Sequence, residues 1–351
     1  MEDYYNLSSS EEERVQNIHR NIKIFDGLAT SYLDREYIQI LKDVGINTVH
    51  YTVAFTNFTN GQQHEDNLHD ACSSIARWNR IMEENADQVK QATSIAQMED
   101  IWARGKIAIF YGFQNGSPIE DNLSFLKLYY QMGIRIIMLT YNKQNFIGCG
   151  GGESHDGGLT DFGRKVVHEM NRLGIAIDLS HCGNKTSLEA IEESEKPVIF
   201  THANPICMAP TPRNKSDDLI KYCVSKGGVV GPKHMIGNMT DKLAEETTVE
   251  DYVNMIDHYV NLVGIDNVTI GTDFSGTVTG LAEADAQINA IRAKNPKAYL
   301  GKRAKPRGFD RIDGLYNVTR GLVKHGYSDG DIEKIYSQNM IRVLKEIFNE
   351  G

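Results

Sequence analysis

Two histidines and an aspartate close three apolar runs of this 351-residue chain: Asp178-Leu179-Ser180-His181, Phe200-Thr201-His202 and Gly271-Thr272-Asp273-Phe274. Imidazole nitrogens and carboxylates are ordinary ligands of divalent ions, and a carboxylate can also move a proton to and from a reacting water. A single histidine after a strand is commonly structural. Three such residues in register carry more weight, because a parallel β/α barrel gathers its strand ends on one face. The chemistry they suggest is metal-assisted, with His181 and His202 as ligands and Asp273 as the proton carrier.

Such a face needs strands to build it, and eight can be counted: Ile22–Asp26, Asn47–Val53, Lys106–Phe113, Arg135–Thr140, Ala176–Ser180, Val198–Thr201, Gly228–Pro232 and Val268–Thr272. All are dense in Ile, Val, Phe or Tyr without strict polar alternation, as parallel strands buried on both faces are. Helix-period segments separate them: Ser31–Val44, Ile119–Met132, Thr160–Leu173, Lys185–Ser194, Ser216–Lys226 and Val249–Val263. Thr160 is a good cap, and Gly174, Gly227 and Gly264 are stop signals. The alternation predicts an α/β fold, a closed (β/α)8 barrel forming one domain over residues 1–351. A doubly wound open sheet shows the same alternation, and strand order is not readable from one sequence. Three stretches exceed a plain barrel: a helical insertion expected at about 56–103, a Gly-rich loop over 141–158 on the active face, and a helical C-terminal extension at about 281–351 that includes Ser328–Phe348. The basic cluster Lys302–Arg307 is expected to be a solvated loop.

Composition excludes several classes. Charged residues make up 24% and hydrophobic ones 40%, as in globular proteins. With 37 basic and 47 acidic residues the net charge is −10, which disfavours nucleic acid or an anionic membrane as partner. No apolar run reaches the roughly 18–20 residues of a membrane span. The acidic start Met1-Glu2-Asp3-Tyr4 lacks an apolar export core. Five cysteines, Cys72, Cys149, Cys182, Cys207 and Cys223, show no C-x-x-C spacing and are expected to be reduced thiols of a cytoplasmic protein. Gly148-Cys149-Gly150-Gly151-Gly152 fails the G-x-G-x-x-G spacing of a phosphate loop, so a tightly turned or flexible active-face loop is expected there.

The order of short strings is more specific. Leu139-Thr140-Tyr141-Asn142 precedes Gly158-Leu159-Thr160-Asp161-Phe162-Gly163; Val167–Gly174, Asp178–His181, Lys196–His202, Pro212-Arg213-Asn214 and Gly271–Phe274 follow. This series resembles the membrane (renal) dipeptidase family of the amidohydrolase superfamily from about Ile22 to Leu344. The resemblance implies a distorted barrel of the metallo-dependent hydrolase type, hydrolysis of dipeptides or related amides at a two-zinc site, and a homodimer. By the same resemblance, His181 and His202 hold one zinc and Asp273 serves the attacking water. Arg213 holds the substrate carboxylate, and Tyr141 and Asn142 contact substrate, Tyr141 standing where the family often has histidine.

The departures from the pattern bear on the metal. The family's first strand ends in Asp-Gly-His-Asn-Asp, whereas this chain has Asp26-Gly27-Leu28-Ala29-Thr30. The bridging glutamate of the third strand is replaced in Gly112-Phe113-Gln114-Asn115. Two dications about 3.5 Å apart repel by roughly 19 kcal/mol at an effective dielectric near 20. Without the bridging carboxylate and the first-strand pair no dinuclear centre is expected. One divalent ion, zinc by preference, is expected on His181 and His202, with Asp273 or the Gln114 amide oxygen as further candidates. His50 and His234 are candidate pocket-lining residues or else bond locally to loop backbone; His155 lines the site mouth or is simply exposed. The expected function is therefore a dipeptidase-like hydrolase acting on an amide bond of a small carboxylate-bearing substrate. A non-hydrolytic enzyme (lyase, isomerase or decarboxylase) and a catalytically dead binding protein on the same barrel are the alternatives.

Overall fold

Eight parallel staves form a ring: Gln114, His181, His202 and His234 come just after strand ends, Asp273 directly precedes the last ladder, His50 lies midway along its stave, and Tyr141, Asn142, His155 and Arg213 lie on loops beyond the strands. The structure, a computed structural model, describes residues 4–54, 57–59, 62–64, 66–243, 246–276 and 305–350. The strands are β1 (Ile24–Ser31), β2 (Ile46–Ala54), β3 (Asn57–Thr59), β4 (Gln62–His64), β5 (Val89–Gln91), β6 (Ile107–Phe113), β7 (Ile134–Met138), β8 (Ala176–Asp178), β9 (Ile199–Phe200), β10 (Val229–Val230) and β11 (Phe274–Gly276). In the main sheet the order is β10-β9-β8-β7-β6-β2-β1-β11. A parallel bridge from Val230 to Val268 joins the two ends, with Thr269 N–H donating to Val230 O at 2.9 Å. β3 and β4 make a separate antiparallel hairpin.

Side-chain alternation sorts the strands' residues into two sets. Phe25, Phe110, Ile136, Ala176, Ile199 and Val229 belong to one buried cluster. Residues from six different staves can meet in this way only inside the ring. The cluster continues into Met340, Val343, Leu344 and Ile347 of the C-terminal helix Asn339–Ile347 and into helix Ile95–Ala103. The opposite parity, including Ile24, Val49, Ile109, Ile137, Ile177 and Val230, packs in the second cluster with the outer helices.

Local chemistry sets the helix bounds. Helix Asp161–Leu173 starts at Thr160, whose side chain accepts from Gly163 N–H, and ends at Gly174 with φ 74°. Helices Leu68–Glu84 and Ile95–Ala103 lie between β2 and β6. The expected C-terminal extension lies outside the described residues over 281–304, as do three of the six residues of the 302–307 cluster, of which Lys305 is buried rather than solvated; helices Leu315–Lys324, Asp329–Glu333 and Asn339–Ile347 follow. Among the described residues no helix is long and apolar enough to cross a membrane.

Three strands differ from the sequence reading. β1 runs to Ser31, five residues past its expected end at Asp26, because an irregular register between Asp26 and Ala29 lets it continue beside Tyr51 and then Phe274. The ladder of the last stave to β1 accordingly forms at Phe274–Gly276, beyond the expected Val268–Thr272. β5 pairs with Ile107–Ile109 of β6, below the point where β7 takes over at Tyr111. Its sequence Val-Lys-Gln holds one apolar residue and gives no strand signal.

Helix Ser9–Asn21 is fastened to this body by His19. The ring bonds Val44 O through Nδ1 and Thr319 Oγ1 through Nε2, both at 2.6 Å, and stacks on Tyr316 at 3.8 Å. Burial pushes its pKa down to about 4. The unfolded chain, with a histidine pKa of about 6.5, binds this proton more readily than the folded one. The contribution is therefore complete above the unfolded value and is lost as pH falls through about 4. Urea titrations across this window are expected to show up to about 3 kcal/mol of decline from this ring, and a shallower slope in His19→Gln.

Candidate active site

The mouth of the barrel is framed by two buried aspartates. Asp178, at the end of β8, accepts from Ser180 N–H (3.0 Å), Ser180 Oγ (2.6 Å), Thr201 Oγ1 (2.5 Å) and Thr201 N–H (3.3 Å). Asp26 of β1 accepts from Thr272 N–H (2.8 Å), Thr272 Oγ1 (2.5 Å) and Leu28 N–H (3.3 Å). Burial raises both pKa values, Asp26 to about 7, while the donors pull the other way. Each aspartate thus grips a threonine of the next stave, and each threonine directly precedes a site residue: Thr201 before His202, Thr272 before Asp273.

These bonds also fix where the imidazole protons sit. The Thr201 hydroxyl gives its hydrogen to Asp178, so at 2.8 Å it accepts from His202 Nδ1–H. His181 Nδ1–H donates to Asn142 Oδ1 at 2.8 Å. In each ring Nε2 is left as the lone-pair nitrogen. His202 Nε2 lies 3.2 Å from the Gln114 amide nitrogen, while His181 Nε2 is buried without a hydrogen-bond partner. The two ring centroids are 5.1 Å apart. Both pKa values are held well below the ordinary range, by burial first and by the Arg213 cation next. Neutral imidazole is the form that binds metal.

Arg213 is buried and donates from Nη2 to His202 O at 2.7 Å. Asp273 sits at φ 56°, a conformation side chains rarely take, with its N–H bonded to Leu28 O at 2.9 Å. Its Oδ2 is 3.7 Å from Lys233 Nζ, a lysine only 1% exposed. The Lys233 peptide is clamped by Asn204, which accepts from its N–H at 2.8 Å and donates to its carbonyl at 3.1 Å. Tyr141 stacks on His181 at 4.2 Å. The Gly-rich loop is a wall behind that ring: Gly151 N–H donates to His181 O at 2.8 Å, and a Cβ on Gly150 would fall 2.3 Å from the Asn142 carbonyl carbon. It is tightly turned, as one of the two sequence readings had it.

Several expected placements change. Gln114 turns its amide N–H, rather than its oxygen, towards His202, the partner a bare nitrogen requires. Asp273 does not complete a three-donor set, since its oxygens and the donor nitrogens of His181 and His202 do not all lie within 4.8 Å of one another. His50 Nδ1–H donates to Gly27 O at 2.8 Å, the local bond that was its alternative, and its ring lies inside the ring of staves beside Gly112. His234 Nδ1–H donates to Thr272 O and its ring packs on Phe274 at 3.9 Å. His155 is exposed, the alternative its sequence position also allowed; Asp156 turns inward instead, accepting from Lys185 N–H (2.7 Å), Gly158 N–H (3.0 Å) and Thr186 Oγ1 (3.1 Å). Sequence reasoning passed over Lys233, although a charged residue directly after the run Gly228–Pro232 occupies a stave end.

A parallel barrel with two neutral imidazoles, a carboxylate and an arginine at its C-terminal mouth is a metallo-dependent hydrolase barrel. Within that class the chain belongs to the membrane dipeptidase family, Peptidase family M19, whose profile matches residues 12–288. It is 28% identical over 287 residues to the dipeptidase TcpJ of Claviceps purpurea, a match spanning 81% of this chain and 61% of the fungal protein. An amidohydrolase from Pseudomonas aeruginosa superposes with a TM-score of 0.85 at 32% identity, covering 95% of this chain and 99% of that one. A metallopeptidase from Rhodobacter sphaeroides, solved with a phosphinate mimic of the dipeptide L-Ala-D-Ala, superposes at 0.78 with 18% identity, covering 93% and 99%. At that identity the likeness is one of fold.

Membership in a metallopeptidase family implies a divalent ion. His181 Nε2, buried and without a partner, and His202 Nε2, which meets only the Gln114 amide, are donors of the kind such an ion takes. Leu28 is fully buried hydrocarbon and offers no donor, and the Thr30 hydroxyl bonds Phe274 O at 3.1 Å.

Gly112 leaves room for this arrangement. A Cβ there would fall 2.0 Å from His50 Nε2 and 2.6 Å from Ile136 O. Gly112→Ala is expected to destabilise the fold by about 3 kcal/mol through overpacking, read as a lower urea midpoint at unchanged slope.

Proposed function

We propose that the chain hydrolyses an amide bond in a small, dipeptide-like substrate bearing a carboxylate, using one divalent ion, zinc by preference, on His181 and His202. The observation that carries this reading is the pair of imidazoles, 5.1 Å apart between ring centroids, whose Nδ1–H groups are both engaged and whose Nε2 atoms keep their lone pairs. When bound, such an ion supplies Lewis acidity towards an amide carbonyl or water. Everything else is done by the chain. Asn142 and the Asp178–Thr201 pair keep the two rings in one tautomer. Asp273 takes a proton from the attacking water and returns it to the leaving amine, a role open to a carboxylate at this position. Lys233 holds that carboxylate by charge and adds positive potential where the chain lacks the family's second-metal ligands. Arg213, planar and permanently charged, recognises the substrate carboxylate. Five free thiols support a reducing, cytoplasmic setting, and family resemblance supports a homodimer.

Metal analysis of chelator-free protein reconstituted with zinc is expected to give one equivalent more in the wild type than in the His181→Ala/His202→Ala double variant. No difference between the two proteins would remove the metal from this reading. With a dipeptide panel that includes L-Ala-D-Ala, Arg213→Lys is expected to lose about 1.5–3 kcal/mol of transition-state binding, roughly 10–150-fold in kcat/KM. Equal turnover by Arg213→Lys would remove the carboxylate anchor.

A further inference from the structure

Away from the barrel mouth, three donors of different chemistry converge at the surface. Cys207 lies on the segment between β9 and helix Asp217–Ser225, Asp217 is the first residue of that helix, and His258 belongs to helix Val249–Val263. Cys207 Sγ is 3.7 Å from His258 Nε2 and 4.0 Å from Asp217 Oδ1, and His258 Nε2 is 3.0 Å from Asp217 Oδ1. Among the described residues this is the only group of three histidine, cysteine or acidic side chains whose donor atoms lie so close together.

The geometry separates two explanations. A thiol–imidazole–carboxylate relay uses the two ring nitrogens separately, the nucleophile on one and the acid on the other. Here sulfur and carboxylate both meet Nε2, so the three atoms form one triangle. A tetrahedral ion with bonds of about 2.3 Å to sulfur, about 2.05 Å to nitrogen and about 2.0 Å to oxygen spaces its donors about 3.3–3.6 Å apart. The observed edges of 3.0, 3.7 and 4.0 Å lie close to that face. Cys207 is exposed, which opens the fourth position to water.

We propose that Cys207, Asp217 and His258 form a second metal site, taking one thiophilic divalent ion such as zinc, separate from the barrel mouth. A thiolate and an imidazole select such an ion over magnesium or calcium. On binding, the thiol proton passes to solvent. The segment involved is the one that carries Arg213. It folds back on itself through Lys215 N–H to Asn204 O (2.9 Å) and Ile206 N–H to Lys215 O (2.8 Å). An ion at Cys207 therefore ties the arginine's loop to two helices.

Cobalt titration of chelator-stripped protein tests this. The wild type is expected to develop a thiolate-to-cobalt charge-transfer band that is bleached by zinc, and in the His181→Ala/His202→Ala double variant, which keeps only this site, the band saturates at one equivalent. Cys207→Ser abolishes the band, and Asp217→Asn and His258→Ala weaken cobalt binding by more than about tenfold, the lower bound for loss of even an outer partner. His181→Ala leaves the band in place, because that imidazole pair includes no thiol. All three donors are at least partly exposed, so the variants keep the fold. As a second measurement, zinc is expected to slow alkylation of Cys207 in the wild type and in neither Asp217→Asn nor His258→Ala. No band, a band that survives Cys207→Ser, or alkylation indifferent to zinc would overturn the proposal.

Discussion

The mouth of this barrel depends on two carboxylates that never reach solvent. Asp26 and Asp178 each accept the hydroxyl and the peptide N–H of a threonine on the neighbouring stave. An apolar residue at either position would leave a buried hydroxyl and amide unsatisfied, at about 1–3 kcal/mol for each group. The bonds do more than join staves. Because each threonine is followed by a site residue, the same clasp that closes the sheet also sets the direction of His202 and of Asp273. Through the Thr201 hydroxyl, Asp178 further decides which nitrogen of His202 carries the proton.

Charge explains what this family member has kept and lost. Leu28, Thr30 and Gln114 are uncharged at the positions where the family resemblance implies metal ligands. Arg213 and Lys233, both buried, contribute positive charge felt by both imidazoles. Lys215, buried behind the Gly-rich wall, donates to the Cys182 carbonyl, and burial pushes its pKa down to about 7. With these cations in place, the charge around the imidazole pair favours neutral rings.

Much of the fold was legible because buried parallel staves are written as dense apolar runs, and seven of the expected strands lie on observed ones. The eighth differed because its hydrogen bonding to β1 starts only after the left-handed turn at Asp273, which no periodicity encodes. β5 was illegible for a simpler reason: it pairs along half an edge and needs only one apolar residue. At the site, His181, His202 and Asp273 stood out by their position after apolar runs. Lys233 did not, because a lysine after a strand ordinarily reaches solvent, and only the Asn204 clamp and the neighbouring Asp273 turn it inward. The inward turn of Asp156 in place of His155 was equally hidden, since both lie in one polar stretch and the choice is made by helix Asn184–Glu193, whose first turn Asp156 caps.

The buried Leu28 and the engaged Thr30 hydroxyl have a consequence for redesign. Building a further ion site beside them would require imidazole at 28, carboxylates at 30 and 114, and accommodation of the Lys233 ammonium. Each change made alone would strand an uncompensated polar or charged group in the barrel, while a hydrophobic leucine there is at rest. The positions are therefore coupled, and a stepwise route through single substitutions passes through less stable proteins.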